Sequence, residues 1–111
     1  MRRLFLFAFA ATLAVLLACA AALPMATEHD ALLAGVPLPD LRDGRARYVA
    51  KCSGCHRLYA PAEYDDAAWA MHVPAMRKRA RLSDNDVAAI LDYVTAVNGA
   101  SAAPMASAPQ G

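Results

Sequence analysis

The sequence lacks what several common classes of site require. It has three cysteines and only one close pair, Cys52 and Cys55, whereas a structural zinc site takes four protein ligands. Its 11 Lys and Arg nearly balance its 10 Asp and Glu, for a net charge of +1, whereas nucleic-acid-binding domains are usually strongly basic. No segment alternates apolar and polar residues as a half-buried strand does. These absences favour an all-α domain that binds neither zinc nor nucleic acid.

The longest apolar run lies at the N-terminus. Met1-Arg2-Arg3 precedes an uncharged stretch from Leu4 to Leu23. A short cationic start followed by an apolar segment and small residues is typical of a secretory signal. We expect residues 1–22 to be removed by cleavage after Ala22, although about 20 apolar residues would also span a bilayer if they were retained. The mature chain would then carry nine basic and ten acidic side chains.

A second interpretation of the same segment involves Cys19. Leu16-Leu17-Ala18-Cys19 resembles the lipobox of bacterial lipoproteins, in which the cysteine is acylated and becomes the new N-terminus. Either removal or acylation of Cys19 leaves the other two cysteines as a pair. The sequence therefore predicts a periplasmic protein that contacts the membrane only through a lipid at Cys19 or through an uncleaved signal.

Composition divides the rest of the chain into three parts. Residues 23–39 are predicted to form an extended lead-in, because Val36-Pro37-Leu38-Pro39 disfavours helix. Residues 99–111 carry no charge and no aromatic ring, which predicts a disordered tail. The predicted folded unit is then 40–98. A core of about 60 residues often needs a disulfide, a metal or an equivalent reinforcement.

Three helices are predicted within this unit. The first runs from Asp40 to Cys52, and the second begins with a cap at Asp65 or Asp66. Pro74 should kink or restart the second helix. The third helix begins at the capping pattern Ser83-Asp84-Asn85-Asp86. Spacings of three and four predict the buried faces as Leu41, Gly44, Tyr48 and Cys52, then Trp69, Val73 and Met76, then Val87, Ile90, Leu91, Val94 and Val97.

The motif that carries chemistry is Cys52-Ser53-Gly54-Cys55-His56. Its C-x-x-C-H spacing is the attachment signature of haem c. Two thiols three residues apart can each form a thioether to one edge of a porphyrin, while the adjacent imidazole reaches the iron. A thioredoxin-like pair would need a βαβ context that the sequence lacks, and a simple disulfide would leave the histidine unexplained. The motif therefore predicts one covalent haem c with His56 as the proximal iron ligand.

With this motif, the predicted folded unit resembles the small monohaem c-type cytochromes of bacteria. In that family a helix bearing a glycine and an aromatic residue leads into C-x-x-C-H, as Gly44 and Tyr48 do here. A terminal helix with an I-x-x-Y pattern crosses it, as Ile90 and Tyr93 would. The resemblance implies a compact, all-α, cytochrome c-like fold of three to four short helices around one covalent haem. We also expect Tyr48 and Trp69 to pack against the haem, with closure of the core as the alternative role of Trp69.

The resemblance supplies a candidate for the sixth iron ligand as well. In such domains a methionine that follows a tryptophan by seven residues and precedes a capped helix typically ligates the iron, and Met76 follows Trp69 at that spacing. Packing in the core is the alternative role for Met76. The alternative ligands are Met71, His72 and, outside the predicted folded unit, Met105 and His29.

Two features depart from the long-chain pattern of the family. Only about 20 residues separate His56 from Met76, which implies a compact version of the fold with a short ligand loop. Pro61 follows His56 by five residues, closer than the proline whose carbonyl usually holds the haem histidine. Either Pro61 or Leu58 could supply that acceptor.

A His–Met pair would saturate the iron and leave no position for a substrate. The resemblance therefore implies an electron carrier, or the haem subunit of a redox enzyme, and not an enzyme acting at the metal. The expected partner is a periplasmic redox enzyme or a terminal oxidase. The alternative function is a ligand-binding or sensor haem protein with an open or labile sixth site. A basic cluster could steer an acidic partner, pair with the haem propionates, or simply be solvated: Arg77, Lys78, Arg79 and Arg81.

Overall fold

The computed structural model describes residues 23–102, with side chains described through residue 99. Within this range the chain forms helices and loops but no strand, so the predicted all-α class is confirmed. None of these helices is long and apolar enough to cross a membrane. The elements in chain order are α1 (Glu28–Ala34), α2 (Leu38–Cys52), a 3-10 turn (Pro61–Glu63), α3 (Asp66–Ala75), α4 (Arg77–Ala80) and α5 (Asp84–Ala102). The predicted signal, residues 1–22, and residues 103–111 of the predicted tail lie outside the described residues.

The lead-in, residues 23–39, is not extended as predicted. Thr27 caps α1, since its hydroxyl accepts a hydrogen bond from the Asp30 backbone N–H at 3.3 Å, while the Asp30 carboxylate accepts one from the Thr27 N–H at 2.6 Å. Helix α2 begins at Leu38, two residues earlier than predicted. Pro39 is tolerated there because the first-turn N–H groups of a helix need no intrahelical partner.

The lead-in is also part of the core. Ala26 is 3% exposed. The Tyr93 hydroxyl donates a hydrogen bond to the Pro24 carbonyl at 2.7 Å, and the Arg45 guanidinium donates one to the Leu23 carbonyl at 3.2 Å. The folded unit therefore begins near residue 23 and not at residue 40.

The centre of the fold is the crossing of α2 over α5, which form the most extensive helix–helix contact in the described range. Leu41, Ile90, Tyr93 and Val94 are completely buried there. A Cβ placed on Gly44 would overlap the carbonyl oxygen of Ala89. Glycine is thus what allows the two backbones to approach this closely, as the resemblance implied.

The second predicted helix is divided in two. Asp65 is the cap of α3, and its carboxylate accepts a hydrogen bond from the Ala68 N–H at 2.7 Å. The helix tolerates Pro74 for one further residue and ends at Ala75; the short α4 begins at Arg77, after Met76. The restart expected from the proline is confirmed.

Helix α5 begins as predicted and ends later. The Ser83 N–H and hydroxyl both donate to the Asp86 carboxylate, at 2.9 and 2.8 Å, and the Asp86 N–H donates back to the Ser83 hydroxyl at 3.1 Å. The helix continues to Ala102, so residues 99–102 of the predicted tail are helical.

Candidate functional site

The described residues enclose a cavity of about 290 Å³ beside the end of α2. Its lining includes five of the residues that the sequence assigned to haem binding: Tyr48, Cys52, His56, Trp69 and Met76. Cys55 is exposed on the turn after α2 and is not among the lining residues. The remaining lining residues are Tyr59, Tyr64, His72, Val73, Arg79 and Leu82. We call this cavity the cleft.

Helix α2 delivers the two cysteines to one side of the cleft. Cys52 is its last residue and is half-buried, while the turn that follows carries Cys55 into solvent. Both are free thiols. Burial, and secondarily the neighbouring Cys55, raises the pKa of the Cys52 thiol. Cys52 is therefore held as a neutral thiol, with its sulfur at the cleft and its partner cysteine accessible.

His56 follows the cysteines on an exposed segment of the loop. Its Nδ1 lies 2.7 Å from the Arg57 carbonyl oxygen. The tautomer in which Nδ1 donates to this carbonyl leaves Nε2 with a lone pair, as a metal-ligating imidazole requires. The acceptor is thus neither Pro61 nor Leu58. The Pro61 carbonyl instead accepts a hydrogen bond from Trp69 Nε1 at 2.8 Å.

Aromatic rings form one wall of the cleft. Trp69 is 3% exposed and meets the rings of Tyr48 and Tyr64 edge to face, at centroid distances of 5.9 and 5.3 Å. The Tyr48 hydroxyl donates to the Tyr59 carbonyl at 2.7 Å. Burial, more than the neighbouring Cys52, raises the pKa of Tyr48 to about 12, so this phenol stays neutral. The wall is therefore apolar, and the polar side-chain atoms of Trp69 and Tyr48 are already hydrogen-bonded.

The end of α3 supplies the candidate sixth ligands. Met76 is half-buried and lines the cleft, as does His72 one helical turn earlier. Met71 is 68% exposed and does not line it. His29 lies on α1, away from the cleft lining, and Met105 lies outside the described residues. The structure thus brings Met76 and His72, but not Met71, to the same cavity as Cys52 and His56.

The basic cluster is divided by its surroundings. Arg77 forms an ion pair with Asp84 at 2.5 Å. Arg79 lines the cleft, and no described residue forms a hydrogen bond or ion pair with it. Arg81 adopts a left-handed conformation with φ of 53° at the end of α4. Only Arg79 of the four is therefore placed to meet an anionic group held in the cleft.

Three cleft residues were not predicted from the sequence. Tyr59, Tyr64 and Leu82 lie on the segments that join the helices. The sequence signal for Tyr59 and Tyr64 was the presence of two tyrosines in the short segment after C-x-x-C-H, because exposed loops seldom need two large rings. Leu82 carried no comparable signal.

The chemistry of the cleft fits a covalently bound haem. It combines a thiol, an imidazole with a free nitrogen, a thioether and an apolar aromatic wall, with a second thiol on the adjoining turn. Between residues 23 and 102, no three His, Cys, Asp or Glu side chains converge as a site for a bare metal ion would need. Comparison of the chain with protein-family models, curated proteins and solved structures finds no match.

Proposed function

We propose that this protein binds one haem c in the cleft and functions in periplasmic electron transfer. The observation that carries the proposal is the meeting, in one cavity, of the half-buried Cys52 and Met76 with the exposed His56, from two separate parts of the chain. Cys52 and Cys55 would hold the haem by thioethers, and His56 and Met76 would ligate its iron. The haem would supply a one-electron couple between Fe(III) and Fe(II).

The cleft residues would favour the reduced state. A thioether ligand such as that of Met76 raises the potential of haem iron. The apolar wall of Trp69, Tyr48 and Tyr64 disfavours the additional positive charge of the oxidised centre. The hydrogen bond from His56 Nδ1 to the Arg57 carbonyl would fix the imidazole orientation and increase its basicity.

Ligation of the iron by both His56 and Met76 would favour a carrier over an enzyme. With His56 and Met76 both bound, the iron would have no open position for a substrate. Electrons would then enter and leave through the exposed side of the cleft, where His56 and Arg79 are accessible. The partner would be a periplasmic dehydrogenase or a terminal oxidase, with the protein acting as a diffusing or tethered carrier or as the haem subunit of such an enzyme.

A ligand-binding or sensor haem protein is the second candidate. It is favoured by the partial exposure of Met76, since a thioether that is not fully enclosed is displaced more easily by a small ligand. Reaction with carbon monoxide distinguishes the two functions.

The test uses the purified, reduced protein and carbon monoxide. A carrier with Met76 bound should show no change in its absorption spectrum, and its oxidised form should show the weak sulfur-to-iron band at the red end. Met76→Ala should abolish that band. Met71→Ala is the matched control, because Met71 is five residues before Met76 in an exposed position, and it should leave the band intact. A band that survives in Met76→Ala would show that Met76 is not the ligand.

A further inference from the structure

The cleft contains two potential iron ligands on consecutive turns of one helix. His72 and Met76 both line it, and residues four apart lie on the same face of a helix. They are connected by the backbone as well, because the Met76 N–H donates to the His72 carbonyl at 3.3 Å and to the Val73 carbonyl at 3.1 Å. The proposed function uses only one of the two side chains.

The imidazole of His72 is free to bind a metal. Neither of its ring nitrogens forms a hydrogen bond or ion pair with another residue of the described range. Its principal contact is the ring of Tyr64, which it meets edge to face at a centroid distance of 4.7 Å. This contact holds the imidazole beside the aromatic wall without consuming a ring nitrogen.

The backbone at this point is suited to a change of ligand. Pro74 has no N–H, so the last turn of α3 lacks one of its helical hydrogen bonds. Met76 is the residue between α3 and α4. A small rotation of this turn would be opposed by fewer hydrogen bonds than in a continuous helix.

We propose that His72 is a second ligand to the haem iron, which binds when the Met76 thioether is removed. This inference rests on the proposed function, because it requires a haem in the cleft. The iron would then have two imidazole ligands and remain six-coordinate. Its potential would fall, because the thioether that favours Fe(II) would be absent.

The experiment compares four exported proteins: wild type, Met76→Ala, Met76→Ala/His72→Ala, and Met76→Ala/His29→Ala. His29 is a matched control, since it is exposed on α1 and does not line the cleft. The readouts are the spin state of the oxidised iron, the reduction potential and the affinity of the reduced protein for carbon monoxide. Intact mass establishes separately that haem is attached.

We expect Met76→Ala to remain low-spin, at a lower potential than wild type, and Met76→Ala/His29→Ala to match it. Met76→Ala/His72→Ala should become high-spin and bind carbon monoxide at least tenfold more tightly than Met76→Ala does. A high-spin Met76→Ala protein would overturn the role of His72, as would a Met76→Ala/His72→Ala protein that stays low-spin. Neither result would alter the proposed haem attachment, whereas an exported protein without haem would remove both proposals.

Discussion

The close crossing of α2 and α5 makes Gly44→Ala the sharpest test of the fold. The added Cβ would overlap the Ala89 carbonyl oxygen and would lie 2.9 Å from that carbonyl carbon and 3.0 Å from the Tyr93 Cβ. None of these atoms is at the end of a flexible side chain, so the helices themselves must move apart. Overpacking of this kind costs typically ~1–3 kcal/mol, and backbone contacts place Gly44 at the upper end.

The opposing effect is smaller. Replacing glycine by alanine inside a helix gains up to ~1 kcal/mol from helix propensity. The net loss in the free energy of unfolding should therefore be about 2 kcal/mol, which corresponds to a Tm lower by about 10 °C for a domain of this size. The decrease would be larger if separation of the helices also breaks the hydrogen bond from Tyr93 to the Pro24 carbonyl.

The assay is thermal and urea unfolding of the purified protein, followed by circular dichroism. Gly99→Ala is the matched control, because Gly99 is likewise within a helix, α5, but a Cβ there would meet no atom within 4 Å. This control should leave the Tm unchanged or raise it slightly. A Gly44→Ala protein as stable as Gly99→Ala would refute the crossing geometry.

Three further substitutions test individual contacts. Ser83→Ala removes the α5 cap and should cost about 1 kcal/mol in urea unfolding. The Ser83 N–H, then its hydroxyl and Arg47, lower the pKa of Asp86 to about 2, so the stability that Asp86 contributes is complete above the ordinary carboxyl pKa and is lost as pH falls towards 2. The Ser83→Ala protein should lose less stability over that range. Equal acid sensitivity of the two proteins would argue against the cap. Trp69→Phe keeps an aromatic ring but removes the indole N–H that donates to the buried Pro61 carbonyl, so it should lower the free energy of unfolding by about 1–3 kcal/mol; no loss would contradict that hydrogen bond. Arg79→Gln should weaken the salt dependence of electron transfer to an acidic partner, whereas Arg77→Gln should not, because Arg77 is already paired with Asp84. If the electron-transfer rate of both variants depends on salt as the wild type does, the basic cluster has no docking role.

Local signals in the sequence predicted most of the helical framework. The caps at Asp65 and Ser83 are short-range hydrogen bonds between residues three apart, so they can be recognised from a few consecutive residues. The glycine in α2 and the tyrosine in α5 were paired through the resemblance, and Gly44 and Tyr93 do pack together.

The lead-in was predicted wrongly for a physical reason. Its prolines favoured an extended segment, whereas Thr27-Glu28-His29-Asp30 is a capping pattern that begins a helix. What fixes this segment is long-range contact, such as that of Tyr93 with Pro24, which no local pattern reveals.

The candidate site was predicted only in part because its residues meet across the fold. C-x-x-C-H is contiguous, and the resemblance pointed to Met76 and Trp69; all of these residues lie at or beside the cleft. The hydrogen-bond acceptor for His56 depends on the conformation of the loop and is the Arg57 carbonyl. The Pro61 carbonyl, one of the two acceptors predicted for His56, instead accepts a hydrogen bond from Trp69.

Intact-mass spectrometry of the exported protein, together with its visible colour, tests the account most directly. A mature chain heavier than its polypeptide by one haem, with the increment absent in Cys52→Ala/Cys55→Ala, is the predicted result. A colourless mature chain at the bare polypeptide mass, from cells that attach haem to other proteins, would contradict it.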